Sequence, residues 1–135
     1  MSLEADLITH LAASAGVQAA FAGRIYPQMA GTRSPVPYLV YKRISTVPGR
    51  TADGHSGHSE VRMQLTTWAE SQPAAIAAAK AVFDTLDDFV GTMGTSIVQD
   101  VTLEDEADLD DVESPESSQA RRFGRRQDFL IWHNE

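Results

Sequence analysis

The stretch TADGHSGHSEV, Thr51 to Val61, sets two histidines three residues apart among glycines, serines, an aspartate and a glutamate. Imidazole nitrogens and carboxylate oxygens are what zinc and similar cations bind, so His55 and His58, with Asp53 and Glu60 beside them, raise the chemistry of a metal-dependent enzyme. The spacing argues against it. A metalloprotease helix holds its histidines at i and i+4, and zinc needs three or four ligands fixed in place. Glycines and serines between these side chains leave them poorly fixed. The segment reads instead as a polar hairpin tip, longer than the ~2–5 residues most hairpins use, and long loops often carry binding. Thr51, Asp53, His55, His58 and Ser59 are therefore assigned to partner contact, and no metal or other cofactor is expected.

A second cluster is ionic. From Asp100 to Glu116 every charged residue is acidic, including Glu104, Asp105 and Asp108, and Arg121, Arg122, Arg125 and Arg126 follow. Four arginines could grip phosphates. No run of aromatic residues accompanies them for base stacking, and the acids before them can neutralise them within one chain or between subunits. These charges are read as ion pairs and inter-subunit contacts. The sequence holds no G-x-S-x-G elbow, phosphate loop or dinucleotide fingerprint. GTMGTS lacks the lysine of a phosphate cradle. His10 reads as an exposed helix residue, His133 as a structural one, and Asp87 with Asp88 as a helix boundary. The expectation is a non-enzyme.

The chain has 135 residues, no cysteine and a net charge of −8. That length suits one domain, residues 1–135, able to bury roughly two-thirds of its unfolded surface. Without cysteine, disulfides and thiol nucleophiles are excluded. The negative balance disfavours a nucleic-acid binder. No apolar stretch approaches the ~20 residues that span a bilayer, and the acidic start does not resemble a signal peptide, so no membrane partner is expected.

The elements that position these residues alternate in type. Leu3, Leu7, Leu11 and Ala15 recur every four residues and predict a helix from Leu3 to about Ser14, capped by Ser2 and ended by Gly16. Val17 to Ala22 suits a short second helix closed by Gly23. Pro27, Pro35 and Pro37 bound an extended loop. Tyr38 to Ser45 and Val61 to Ala69 alternate as an antiparallel hairpin, with Val61, Met63, Leu65, Thr67 and Ala69 on one face. Ser71 and Pro73 begin an alanine-rich helix whose apolar stripe is Ile76, Ala79, Phe83 and Leu86. TSIVQDVTLED reads as a third strand and RRFGRRQDFLIWHN as a fourth, with Gly124 marking a bulge or a close approach. The expected fold is α+β: an antiparallel sheet of about four strands in two hairpins, packed by the N-terminal helix and the long helix, with mobile loops near 49–59 and 104–118.

Four stretches in order, GRIYPQMA, PVPYLVYKRIS, VRMQLTTWAES and RRQDFLIWH, resemble the tail-completion, or head–tail joining, proteins of long non-contractile-tailed phages, prophages and related particles. The resemblance spans nearly the whole chain. It implies a structural protein of the virion, made in the host cytoplasm, that forms a ring, hexameric by analogy, at the top of the tail. The implied partners are copies of itself, the tail tube protein and a head-side connector or stopper, with DNA passing through ungripped. A terminator that caps the tube and sets tail length is the alternative; a metal-dependent enzyme or a nucleic-acid binder is more remote. Carried over residue by residue, Arg24, Ile25, Tyr26 and Pro27 form the turn after the first helices, Pro37 and Tyr38 open the first strand, Trp68 and Ala69 end the second, and Trp132 and His133 end the last. All are fold-defining positions.

Overall fold

The computed structural model describes residues 3–27, 37–51, 54–93, 96–111 and 122–134, with the backbone alone at 49–51, 54–57, 109–111 and 122. Its elements run α1 (Leu3–Ala13), α2 (Ala15–Phe21), β1 (Ile25–Pro27), β2 (Tyr38–Thr51), β3 (Gly54–Ala69), α3 (Gln72–Leu86), β4 (Gly91–Met93), β5 (Ser96–Asp111) and β6 (Arg122–Asn134). The strands form one curled, mixed sheet in the order β1-β2-β3-β6-β5-β4. β1 pairs with β2 in parallel, and the other neighbours are antiparallel.

This corrects the expected four-stranded antiparallel sheet with two helices. The two added strands are three residues each, too short to carry any periodicity. Pro27 ends β1, which is tolerable on an edge strand because its missing N–H breaks no ladder bond. The strands also run further than composition suggested. β2 and β3 stay paired to Thr51↔Gly54, and β5 continues through the acidic tract to Asp111↔Arg122. Gly, Ser, Asp and Glu disfavour strands intrinsically, but cross-strand pairing overrides that preference when a partner strand is already in register.

The core lies between one sheet face and the helices. Leu3, Leu7 and Leu11 of α1, and Val17 and Phe21 of α2, pack with Leu39, Val61, Met63, Leu65, Val101, Phe129 and Ile131. The alternation in β3 sends Val61, Met63, Leu65, Thr67 and Ala69 inward, and all five are buried. On α3 the buried stripe is Ala75, Ala78, Ala79, Val82 and Leu86, while Ile76 is 40% exposed. The stripe is rotated from the expected one because α3 packs against α2 as well as the sheet. A Cβ at Gly16 would stand 3.8 Å from Ala81 Cβ. Gly16 thus lies inside α2 instead of ending α1. Ser14 separates the helices, accepting from Val17 N and bonding Thr85 Oγ1 at 3.0 Å.

Local chemistry starts and stops the elements. Ser71 is extended and its hydroxyl accepts from Ala74 N at 3.2 Å, with Pro73 in the first turn of α3. Asp87 caps the other end, and Asp88 adopts φ +58°, a left-handed conformation that Asp tolerates better than most residues. The Asp6 carboxylate is buried and accepts from Ser96 Oγ at 2.7 Å, tying α1 to β5.

Candidate functional site

Most of the motif residues meet at one corner of the sheet. Arg24 Nε donates to Pro37 O at 2.9 Å, bridging the chain between β1 and β2, and Leu39 N donates to Arg24 O at 2.9 Å. The rings of Tyr26 and Tyr38 lie 5.9 Å apart. Tyr38 stands opposite Trp68 in the β2–β3 ladder, and Trp68 stands opposite Gly124 in the β3–β6 ladder. A Cβ on Gly124 would come within 2.9 Å of the indole. Ile25 packs against the core, Pro27 ends β1 and Ala69 is buried. Trp132 and His133 are elsewhere, near the far end of β6, opposite Glu60 and Ser59. His133 is buried there.

The ionic cluster forms a ladder across the sheet. Asp128 is 3% exposed, and its Oδ2 accepts from Arg62 Nε and Nη2 at 3.2 and 2.9 Å and from Arg126 Nη1 at 3.2 Å. Arg126 Nη2 also reaches Asp105 Oδ2 at 2.9 Å. On the helix side Arg125 Nε donates to Asp108 Oδ1 at 2.9 Å, with Glu106 at 3.6 Å from its Nη1. The Arg125 hydrogen bond and charge hold the Asp108 carboxyl below its usual range. Asp105, Asp108, Arg125 and Arg126 therefore pair within one chain. Glu104 is exposed on β5, Arg122 pairs with Asp111 through the strand ladder, and Arg121 lies outside the described residues. Sequence reasoning missed Arg62 and Asp128. Their signal was an outward-facing charge on each of two alternating strands, Arg62 on β3 and Asp128 on β6, placed two rungs apart on one face of the ladder.

The histidine segment is a ribbon. Arg50 pairs with His55 and Thr51 with Gly54, beyond the last β3–β6 pair, His58↔Asn134. His58 is half-buried, Ser59 is buried, and Asp53 falls outside the described residues. Among the described residues no group of three or more His, Asp or Glu side chains is placed to hold a metal. His10 is half-buried, not exposed, with its ring 4.4 Å from that of Phe89.

An open groove of about 290 Å³ runs between α3 and the sheet, lined by Ile76, Lys80, Phe83, Leu103, Glu106, Arg125 and Gln127. Most of its polar groups are engaged with the protein, although Gln127 Oε1 accepts no hydrogen bond among the described residues. Lys80 binds Asp84 at 2.8 Å, and Gln127 Nε2 donates to Ala79 O and Glu106 Oε2. The lining offers apolar contact with a charged rim, with no nucleophile beside a base.

At Asp87 the carboxyl is raised above its ordinary value, first by desolvation and then by Asp88 and Asp100. No helix among the described residues is long and apolar enough to cross a membrane.

No curated protein matches the chain. A chain of the solved "Virion of native gene transfer agent (GTA) particle" matches with a TM-score of 0.75 at 15% identity, covering 99% of this chain and 96% of that one. This likeness shows a shared fold. The model of the family described as Tail completion protein gp17 matches residues 5–133. The chain therefore belongs to the tail completion protein gp17 family, structural proteins of phage tail assembly.

Proposed function

We propose that the protein forms a ring at the top of the tail, where the tube meets the head-side connector, and that its task there is joining, without catalysis. The family match over residues 5–133 carries this reading. The shape supports it: a curled sheet with a two-stranded ribbon extending past β6 gives each subunit lateral edges and a projecting arm. A ring of such subunits, hexameric by analogy with the resemblance, contacts copies of itself, the tube protein below and the connector or stopper above. The net charge of −8 suits a ring that DNA must pass without being gripped. Assembly takes place in the host cytoplasm, before incorporation into the particle.

The test is electron microscopy of particles made after deleting the gene from the phage genome that encodes it. DNA-filled heads beside free tails of normal length support joining. Overlong tails shift the role to termination, and normal joined particles refute both. The ribbon is tested separately by replacing Thr51–His55 with a two-residue turn. Ser59 is buried and His58 pairs with Asn134, so both must stay. The shortened protein is expected to fold and to fail in assembly, and normal particles would remove the ribbon from the interface.

A further inference from the structure

We infer that neighbouring copies join by adding the open edge of β2 on one copy to the open edge of β5 on the next. The inference rests on the ring reading above and names the surface that closes the ring. β1 covers β2 only from Leu39 to Tyr41, and β4 covers β5 only from Ser96 to Val98. Among the described residues, β2 from Lys42 onward has a strand on one side only; on β5 the Asp88 N–H already donates to Val101 O at 3.1 Å, so that edge is open from Thr102 onward. Backbone N–H and C=O groups on such edges are a template for another strand.

The two edges are opposite in charge. Lys42 and Arg43 lie on the open part of β2, which has no acid anywhere between Tyr38 and Thr51. Glu104, Asp105, Glu106 and Asp108 lie on the open part of β5, which has no base. Arg43 is occupied by Glu4 at 2.8 Å, and Asp105 by Arg126. Lys42 and Glu104 are exposed and have no ion pair among the described residues. Apolar side chains accompany the β2 edge: Ile44 and Val47 are 43% and 56% exposed beside Lys42.

Charge sets which edges can meet. Two β2 edges repel, two β5 edges repel more strongly, and only β2 with β5 attracts. A contact between unlike surfaces is heterologous, and where its rotation closes it makes a ring instead of stopping at a dimer. Strand direction agrees. Counting across the sheet, β5 runs opposite to β2, so a rotated neighbour presents it antiparallel. Height agrees too. Lys42 lies on the rung Gln64, Asp128, Asp105, and Ser45 on the rung Arg62, Leu130, Thr102. Lys42–Ser45 of one copy therefore faces Thr102–Asp105 of the next. Pro48, further along β2, has no N–H to donate and cannot extend the pairing.

The chain lacks cysteine, so thiol cross-linking is clean. In particles assembled with a chain carrying both Lys42→Cys and Glu104→Cys, a short bismaleimide is expected to give a ladder of covalent oligomers up to the ring. Each single variant should stay monomeric. Lys42→Glu and Glu104→Lys should each lower the yield of joined particles at least tenfold, and the two together should restore it. Joined particles with no ladder, dimers from a single-cysteine variant, or indifference to charge reversal would overturn the edge assignment while leaving the ring intact. Particles that contain no copies of the chain at the tail top would overturn the ring reading itself, and the edge assignment with it.

Discussion

Replacing Gly124 with alanine probes the corner where the motif residues converge. The added Cβ would stand 2.9 Å from Cε3 and Cζ3 of Trp68 and 3.2 Å from Thr67 O. The backbone at Gly124 is not in the left-handed region, so the cost is steric. The indole could turn aside, but the carbonyl belongs to the β3–β6 ladder and cannot move without breaking pairs on both sides. Overpacking of this kind costs about 1–3 kcal/mol. At about 2.1 cal/mol/K per residue, 135 residues give an unfolding entropy of roughly 0.28 kcal/mol/K, so Tm should fall by about 4–11 °C. The assay is thermal unfolding followed by far-UV circular dichroism. Adding Trp68→Leu should recover part of the loss, because it removes the nearer obstacle. A Gly124→Ala protein that melts within about 1 °C of wild type would refute the close approach and the geometry built around it.

Asp128→Ala should lower stability by about 2 kcal/mol, less than a fully buried pair, because Arg62 and Arg126 keep access to water; a urea midpoint lower by about 1 M is the expected reading. Ser71→Ala removes the acceptor for Ala74 N and should cost about 1 kcal/mol, seen as a Tm drop of about 3–4 °C. Asp108 has a folded pKa below its unfolded one, so its stabilisation is present above the carboxylate range and lost on acidification; the Tm of Asp108→Asn should fall less between about pH 6 and about pH 3 than that of wild type. Asp87 is shifted the other way, so its ionised form disfavours the fold and Asp87→Asn should raise Tm at neutral pH.

The elements with strong internal periodicity were legible. The leucines of α1, the inward set of β3 and the Ser-x-Pro start of α3 each follow from one local rule. What was hidden depends on partners distant in sequence. β1 is a strand only because Ile25–Pro27 lies beside Leu39–Tyr41. The acidic end of β5 is a strand because β6 holds it in register and Arg125 and Arg126 meet its carboxylates. The stripe of α3 was misplaced because α2 takes part of its surface, which no property of α3 alone reveals. For the site, sequence order made the tail-completion motifs readable, and the charged tract suggested ion pairs. The choice of pairs did not follow from sequence, since Asp128 and Arg62 are 66 residues apart.

The central claim is a position in the particle. The direct measurement is a cryo-electron microscopy reconstruction of the tail top in particles carrying a small tag after Glu135 of this chain. The account predicts a closed ring of tagged subunits between the last ring of the tail tube and the head connector. Tag density along the tube, at the distal tip or absent from the joined particle would contradict it.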